Sequence, residues 1–208
     1  MARIETLFNA IVQGKSNDVV DIINAELEKK TDVKELLLES MIPAMREIGN
    51  RFSRNEAYVP EMLIAARAMQ SGLTIIEPIL EAAGHKSPAK VCIGTVKGDL
   101  HDIGKNLVAM MVKGAGYEVI DLGVDCGIDK IKEALAESKA EVLMLSSLLT
   151  TTMPYMKEVI TELADNKDVK IVIGGAPVTQ EYATEVGAAG YAADANGAVT
   201  ILEELLAA

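Results

Sequence analysis

Beyond Pro88 the chain alternates apolar, β-rich runs with helical patterns five times, and no other feature limits the fold as strongly. Lys90 to Val96 precedes a helix starting near Gly104, and Tyr117 to Leu122 precedes one over Ile128 to Ser138. Val142 to Leu148 precedes a helix from Met153, Val169 to Ile173 one near Gln180, and Gly190 to Ala193 a last one over Gly197 to Leu206. Strands this continuously apolar are buried on both faces, which a parallel sheet covered by helices provides. The expectation is a doubly wound α/β fold, Rossmann-like or flavodoxin-like, with a five-stranded parallel sheet.

The residues before Gly84-His85-Lys86-Ser87-Pro88, the sharpest break in the chain, have a different texture. They are rich in Leu, Ile, Met, Ala and Glu, have few Gly and no alternating β-branched run, and read as all-helical. One helix is expected over Ile4 to Val12, and a second is capped by Ser16 or Asn17. A third opens with Thr31 or Asp32 and Glu35 in a capping box and is kinked or restarted by Pro43. A fourth has Pro60 at its first position and Glu61 complementing its dipole, and runs to about Ala83. Four helices suit a small antiparallel bundle. The expected domains are therefore 1–86, a helical bundle, and 87–208, the α/β domain.

Charge narrows the function. With 20 Lys+Arg against 31 Asp+Glu the net charge is −11, whereas binding to a phosphate backbone relies on clustered cations. Nucleic acid and anionic membrane surfaces are therefore not expected as partners. No apolar run approaches the roughly 20 residues a membrane helix needs, and Met1-Ala-Arg-Ile-Glu5 lacks the apolar core of a signal peptide. This reads as a cytoplasmic protein. Cys92 and Cys126 lie far apart, outside any CxxC, in a chain with only two His, so neither a disulfide framework nor a Cys/His zinc site is expected. Each thiol reads as a small apolar filler.

Doubly wound sheets bind ligands beyond the carboxyl ends of their strands, where strand order reverses. For an order 2-1-3-4-5 the informative loops are 97–104, 146–152 and 174–177. The first packs Asp99, His101, Asp102 and the glycines Gly98 and Gly104 into one turn. Residues two apart in an extended loop point the same way, so Asp99 can hold one imidazole nitrogen of His101 while the other faces outward, as in a carboxylate-oriented metal ligand. An ordinary histidine at a helix start is the plainer alternative. One His cannot build a protein-only transition-metal site, so a metal here needs a cofactor to supply the remaining ligands. The second loop offers five hydroxyls, Ser146, Ser147, Thr150, Thr151 and Thr152, more than one helix cap requires. In the third, Gly174-Gly175-Ala176-Pro177, the missing side chains either let a ligand approach the backbone or mark a simple turn.

Asp99-x-His101-x-x-Gly104, then Ser146-x-Leu148, then Gly174-Gly175, each at a strand end, resembles the motif set of cobalamin-binding proteins of the base-off, His-on type. The resemblance implies a cobalamin or related corrinoid whose cobalt takes His101 as axial ligand, with Asp99 behind it and Gly98, Leu100, Asp102, Ile103 and Gly104 of the same turn also binding the cofactor. It further implies that Ser146, Leu148, Thr150, Gly174, Gly175 and Ala176 line a slot for the nucleotide tail. In methionine-synthase relatives the His–Asp relay ends on a serine aligned with Thr152, where this chain keeps a hydroxyl. The helical part carries Arg51-Phe52 and Tyr58-Val59-Pro60-Glu61-Met62, similar to the cap of methyl-transfer corrinoid subunits. Phe52, Tyr58, Val59 and Met62 would then shield the cobalt–methyl bond, although each also suits bundle core.

The function so implied is that of a methyl carrier cycling between Co(I) and methyl-Co(III), serving a substrate-specific methyltransferase and a second, acceptor methyltransferase, with a reductive activase in support. Such a chain is one component of an enzyme system. A mutase-type adenosylcobalamin subunit and a corrinoid-dependent regulator are the alternatives. A nucleotide-binding or receiver-like domain is disfavoured because GxGxxG and GxxxxGK[ST] are both missing.

Overall fold

The computed structural model describes residues 3–207. The chain divides into two compact units. One ends at Ser87 and also takes in Gly114–Gly116; the other comprises Pro88–Lys113 and the chain from Tyr117 onward.

The first unit is helical: α1 (Glu5–Val12), α2 (Ser16–Glu28), α3 (Val33–Glu35), a π-helical segment (Leu36–Met41), α4 (Ile42–Ser53) and α5 (Val59–Ala82). Its core forms where α5 packs on α1, α2 and α4, burying Met62, Ala65, Met69, Leu73, Ile76 and Leu80 at helical spacing. Pro60 sits in the first turn of α5, where its missing N–H has no partner to lose. Glu61 reaches back to accept the Tyr58 backbone N–H at 3.1 Å. Pro43 restarts the third helix: its ring crowds the carbonyl of Glu39, and the chain widens into the π-helical segment just before it. The caps differ in part from those expected. Asp32 alone caps α3, accepting the Lys34 N–H at 2.9 Å, while the Thr31 hydroxyl is drawn off to Glu26 at 2.7 Å. Ser16 is already helical, and α2 starts from Lys15 without a side-chain cap.

By length and composition, α5 is apolar enough to cross a bilayer, with a mean hydropathy of 1.2 over its best window. The expectation that no uninterrupted apolar run approaches this length stands beside it, because Glu61, Arg67 and Gln70 break the run in sequence while the helix continues. The buried residues of α5 are engaged by the neighbouring helices of the unit.

The second unit alternates β1 (Lys90–Thr95), α6 (Ile103–Gly114), β2 (Glu118–Asp121), α7 (Ile128–Ser138), β3 (Val142–Ser146), α8 (Pro154–Glu162), β4 (Lys170–Gly174), α9 (Gln180–Val186), β5 (Gly190–Ala192) and α10 (Ala195–Ala207). The strands form one parallel sheet in the order β2-β1-β3-β4-β5, so the doubly wound fold and its order are as expected. The three central strands are almost wholly buried. Both thiols are free and lie in this core with Leu143, Leu145 and Ile173, and burial pushes each up from its ordinary pKa.

Strand register fixes what meets at the carboxyl edge. Thr95 pairs with Ser146, Ser146 with Gly174, and Gly174 with Ala192, giving one row across four strands. Order reverses between β1 and β3, and the loops after these two strands carry the site. The start of α6 is tied to the end of β2 by Lys105, 3 % exposed, whose ammonium is gripped by both Asp121 carboxylate oxygens at 2.5 and 2.6 Å.

Candidate functional site

The β1–α6 turn is built around a buried carboxylate. Asp99 has no exposed surface and accepts four hydrogen bonds. Oδ1 takes the His101 backbone N–H at 3.0 Å and faces His101 Nδ1 at 2.7 Å; Oδ2 takes the Leu148 backbone N–H at 2.7 Å and the Thr152 hydroxyl at 3.0 Å. Burial alone would raise its pKa, but the two backbone N–H groups, the imidazole and the hydroxyl together hold the carboxyl well below the usual carboxylate range. Asp99 is thus an ionised acceptor, so Nδ1 of His101 carries the proton that lies between them. The other nitrogen, Nε2, has no hydrogen-bond partner among the described residues, on a side chain 52 % exposed.

The turn is fixed from behind. Thr95, fully buried at the end of β1, donates its hydroxyl to the His101 carbonyl at 2.8 Å. Gly98, at φ 81°, donates its N–H to the Asp125 carboxylate at 2.7 Å, and the Asp125 N–H returns to the Asp99 carbonyl at 3.1 Å. Asp102 closes the turn by accepting the Asn106 N–H on its carbonyl at 2.7 Å as α6 begins.

On the β3 side, Ser147 is fully buried, and its hydroxyl lies 2.8 Å from that of Thr152. Ser146 ends β3 beside Gly174, with Leu148 and Thr150 exposed beyond it. The glycine pair is explained by the protein itself. A Cβ on Gly175 would fall 1.9 Å from the Ser147 carbonyl oxygen, and one on Gly174 would fall 2.7 Å from that of Ala192. The missing side chains let neighbouring backbone approach, and Ala176 follows exposed. The helical unit holds the other named residues: Phe52 half-buried, Tyr58 and Val59 exposed where α5 begins, and Met62 wholly buried as bundle core.

Two contributors escaped the sequence reading. Ser147 stood within the hydroxyl cluster, and nothing in its local sequence separates it from its exposed neighbours. Asp125 sits at φ 51°, and an Asp between Gly123 and Gly127 is a sequence mark of such a left-handed turn residue.

Replacing Asp99 by Asn should show how much the site depends on this charge. An amide offers one acceptor oxygen to donors that now converge on two, and its NH2 would face a backbone N–H. Asp99→Asn should destabilise the apoprotein by about 2–3 kcal/mol at pH 7. Because the folded carboxyl is held low, its contribution is present above the unfolded value near pH ~4 and is lost as pH falls below it. Urea titrations at neutral and acid pH should therefore show the gap between wild type and variant closing on acidification; a gap independent of pH refutes the assignment.

The residues fit a metal that arrives with most of its ligands. No group of three or more His, Cys, Asp or Glu among the described residues could hold an ion. One imidazole with a locked Nδ1 and an open Nε2 instead offers a single ligand. The two loops meeting at Asp99 also present four exposed apolar side chains, Leu100, Ile103, Leu148 and Leu149, a surface suited to a flat macrocycle. Such a site could lend one imidazole nitrogen to a metal whose other ligands a cofactor supplies.

Comparison with known proteins gives that class its identity. The B12 binding domain family matches residues 89–200, and a second B12 binding domain family matches residues 3–77. The chain is 39% identical over 191 residues to the trimethylamine corrinoid protein of Methanosarcina barkeri, covering 89% of this chain and 88% of that one. It is 35% identical over 208 residues to dimethylamine corrinoid protein 1 of Methanosarcina acetivorans, covering 98% and 97%. Among solved structures, the methanol:cobalamin methyltransferase complex MtaBC of Methanosarcina barkeri matches with a TM-score of 0.86 at 28% identity over 97% of this chain and 78% of that one. A cobalamin-binding protein of Desulfitobacterium hafniense DCB-2 matches with a TM-score of 0.78 at 28% identity, covering 95% and 96%. The chain belongs to the B12-binding corrinoid proteins, and its cofactor is cobalamin or a related corrinoid.

Proposed function

We propose that this protein is a methyl carrier that holds its corrinoid base-off with His101 on cobalt. In this reading it moves a methyl group between a substrate-specific methyltransferase and an acceptor methyltransferase, with a reductive activase restoring it. The observation that carries the reading is the His101 imidazole, tied through Nδ1 to a buried carboxylate with Nε2 unpartnered. The relatives named as trimethylamine and dimethylamine corrinoid proteins support the methyl-transfer role.

When bound, the corrinoid supplies a cobalt that accepts and releases a methyl group. The residues of the chain do the rest. Asp99 fixes the imidazole tautomer and makes Nε2 a stronger ligand. Leu100, Ile103, Leu148 and Leu149 keep water from the ring face around it. Ser146, Thr150 and Ala176, near the ends of β3 and β4, serve the nucleotide tail, and Tyr58, Val59 and Phe52 serve the shielding of the methyl group.

The test is to grow the protein with 15N-histidine, load it with hydroxocobalamin, and bring it to the paramagnetic one-electron-reduced state. The nitrogen superhyperfine pattern in its electron paramagnetic resonance spectrum should change from triplets to doublets. Triplets in the labelled protein would mean that the cofactor's own base remains on cobalt. Protein isolated with its native corrinoid should release no deoxyadenosyl product on photolysis; its release would favour the mutase-type reading.

A further inference from the structure

We propose that Ser147 is a positioning residue for His101, acting through Thr152 and Asp99. The inference rests on the His101 ligation proposed above. It comes from counting protons. Two hydroxyls, Ser147 and Thr152, have two protons to place among three short contacts: Ser147 Oγ to Thr152 Oγ1 at 2.8 Å, Thr152 Oγ1 to Asp99 Oδ2 at 3.0 Å, and Thr152 Oγ1 to the Leu149 carbonyl at 3.0 Å. A longer contact joins Ser147 Oγ to the same Leu149 carbonyl at 3.2 Å.

If Thr152 gives its proton to Leu149, its oxygen lone pairs face the Asp99 carboxylate with no hydrogen between them. The same repulsion arises if Thr152 donates to Ser147. If Thr152 donates to Asp99 while Ser147 turns to Leu149, the 2.8 Å contact between the hydroxyls is left without a proton. Only the direction Ser147 to Thr152 to Asp99 places a hydrogen in both the hydroxyl–hydroxyl and the hydroxyl–carboxylate contact. The relay therefore has a fixed polarity, with both protons directed toward the carboxylate that holds His101.

At equal distances the ionised Asp99 carboxylate outcompetes the neutral Leu149 carbonyl for the one proton of Thr152, so Thr152 has none left for its contact with Ser147. Ser147 supplies the hydrogen for that contact. It is fully buried, and its backbone is held by its N–H to the Gly174 carbonyl at 3.1 Å. Donating into Thr152 also polarises the next bond in the chain, strengthening the Thr152–Asp99 contact.

The test is a double-mutant cycle on the full-length protein loaded with hydroxocobalamin, comparing Ser147→Ala, Thr152→Val and the pair. Two readouts are taken: the fraction of bound corrinoid with His101 on cobalt, by visible absorption, and the His101 ring nitrogen shifts in the apoprotein. Ser147→Ala should lower the His-on to His-off ratio about two- to tenfold, the range expected for one net hydrogen bond. Thr152→Val should lower it at least as much, and Ser147→Ala should add nothing in the Thr152→Val background. Ser147→Thr should restore the ratio if the variant folds, and thermal unfolding of each variant separates ligation from stability. If Ser147→Ala leaves ratio and ring shifts unchanged, or if its effect persists in the Thr152→Val background, the inference is wrong. A His101→Ala spectrum identical to wild type would overturn the ligation reading itself.

Discussion

Replacing His101 by Ala should abolish the nitrogen-ligated visible spectrum of the bound corrinoid and weaken its retention by more than the roughly 10–100-fold that losing an outer partner of a metal ligand brings. The effect should be large because the site has no substitute. The described residues hold no cluster of metal-binding side chains to take its place, and the next hydroxyls and carboxylates are committed elsewhere. Thr152 and Asp99 bond to each other, and Asp102 anchors the start of α6. The fold should survive, since the His101 side chain is half-exposed and Thr95 holds the backbone carbonyl, which the substitution leaves in place. Added imidazole should enter the space left by the ring, meet Asp99 and restore the spectrum in part. A variant that binds corrinoid with the wild-type spectrum and affinity would refute the role of this side chain.

Gly175→Ala should cost about 4 kcal/mol or more, the range of severe steric substitutions. Two penalties act together. The residue sits at φ 127°, a conformation L side chains rarely adopt, and its Cβ would lie 1.9 Å from the Ser147 carbonyl oxygen and 3.0 Å from the Ser147 nitrogen. Relief requires moving the end of β3, which carries the Ser147 hydroxyl and the Leu148 N–H that holds Asp99. Corrinoid binding should therefore fall together with stability. Gly187→Ala is the control: it shares a positive φ of 76° but finds nothing within 4 Å, so it should cost only about 1 kcal/mol. Equal melting temperatures for the two variants would show that the close approach at Gly175 is relieved cheaply.

The strands were legible because a sheet covered on both sides writes itself as runs of Val, Ile, Leu and Met, and the helices because each run is answered by a 3.6-residue period. Where the edges shifted, the site is the reason. The run from Val142 reads as strand through Leu148, but pairing stops at Ser146 because the Leu148 N–H leaves the ladder for Asp99. Likewise the pairing of Asp99 with His101 follows from their two-residue spacing, whereas Asp125 and Ser147 come from the loops after β2 and β3 and enter only when the chain is folded. Sequence left Thr31 and Asp32 as alternative caps because the two polar residues adjoin, and the choice of Asp32 follows from Glu26 drawing off the Thr31 hydroxyl, while neither Ser16 nor Asn17 caps α2.

The margins of the sheet bear on how the protein behaves in company. Its two outer strands, β2 and β5, are four and three residues long, and Lys90 and Glu118 add a surface ion pair where β1 meets β2. So little unpaired backbone gives a second copy almost nothing to zip onto. Growth of the sheet by strand addition is thus disfavoured at both margins, while the row of strand ends at its carboxyl edge lies apart from them.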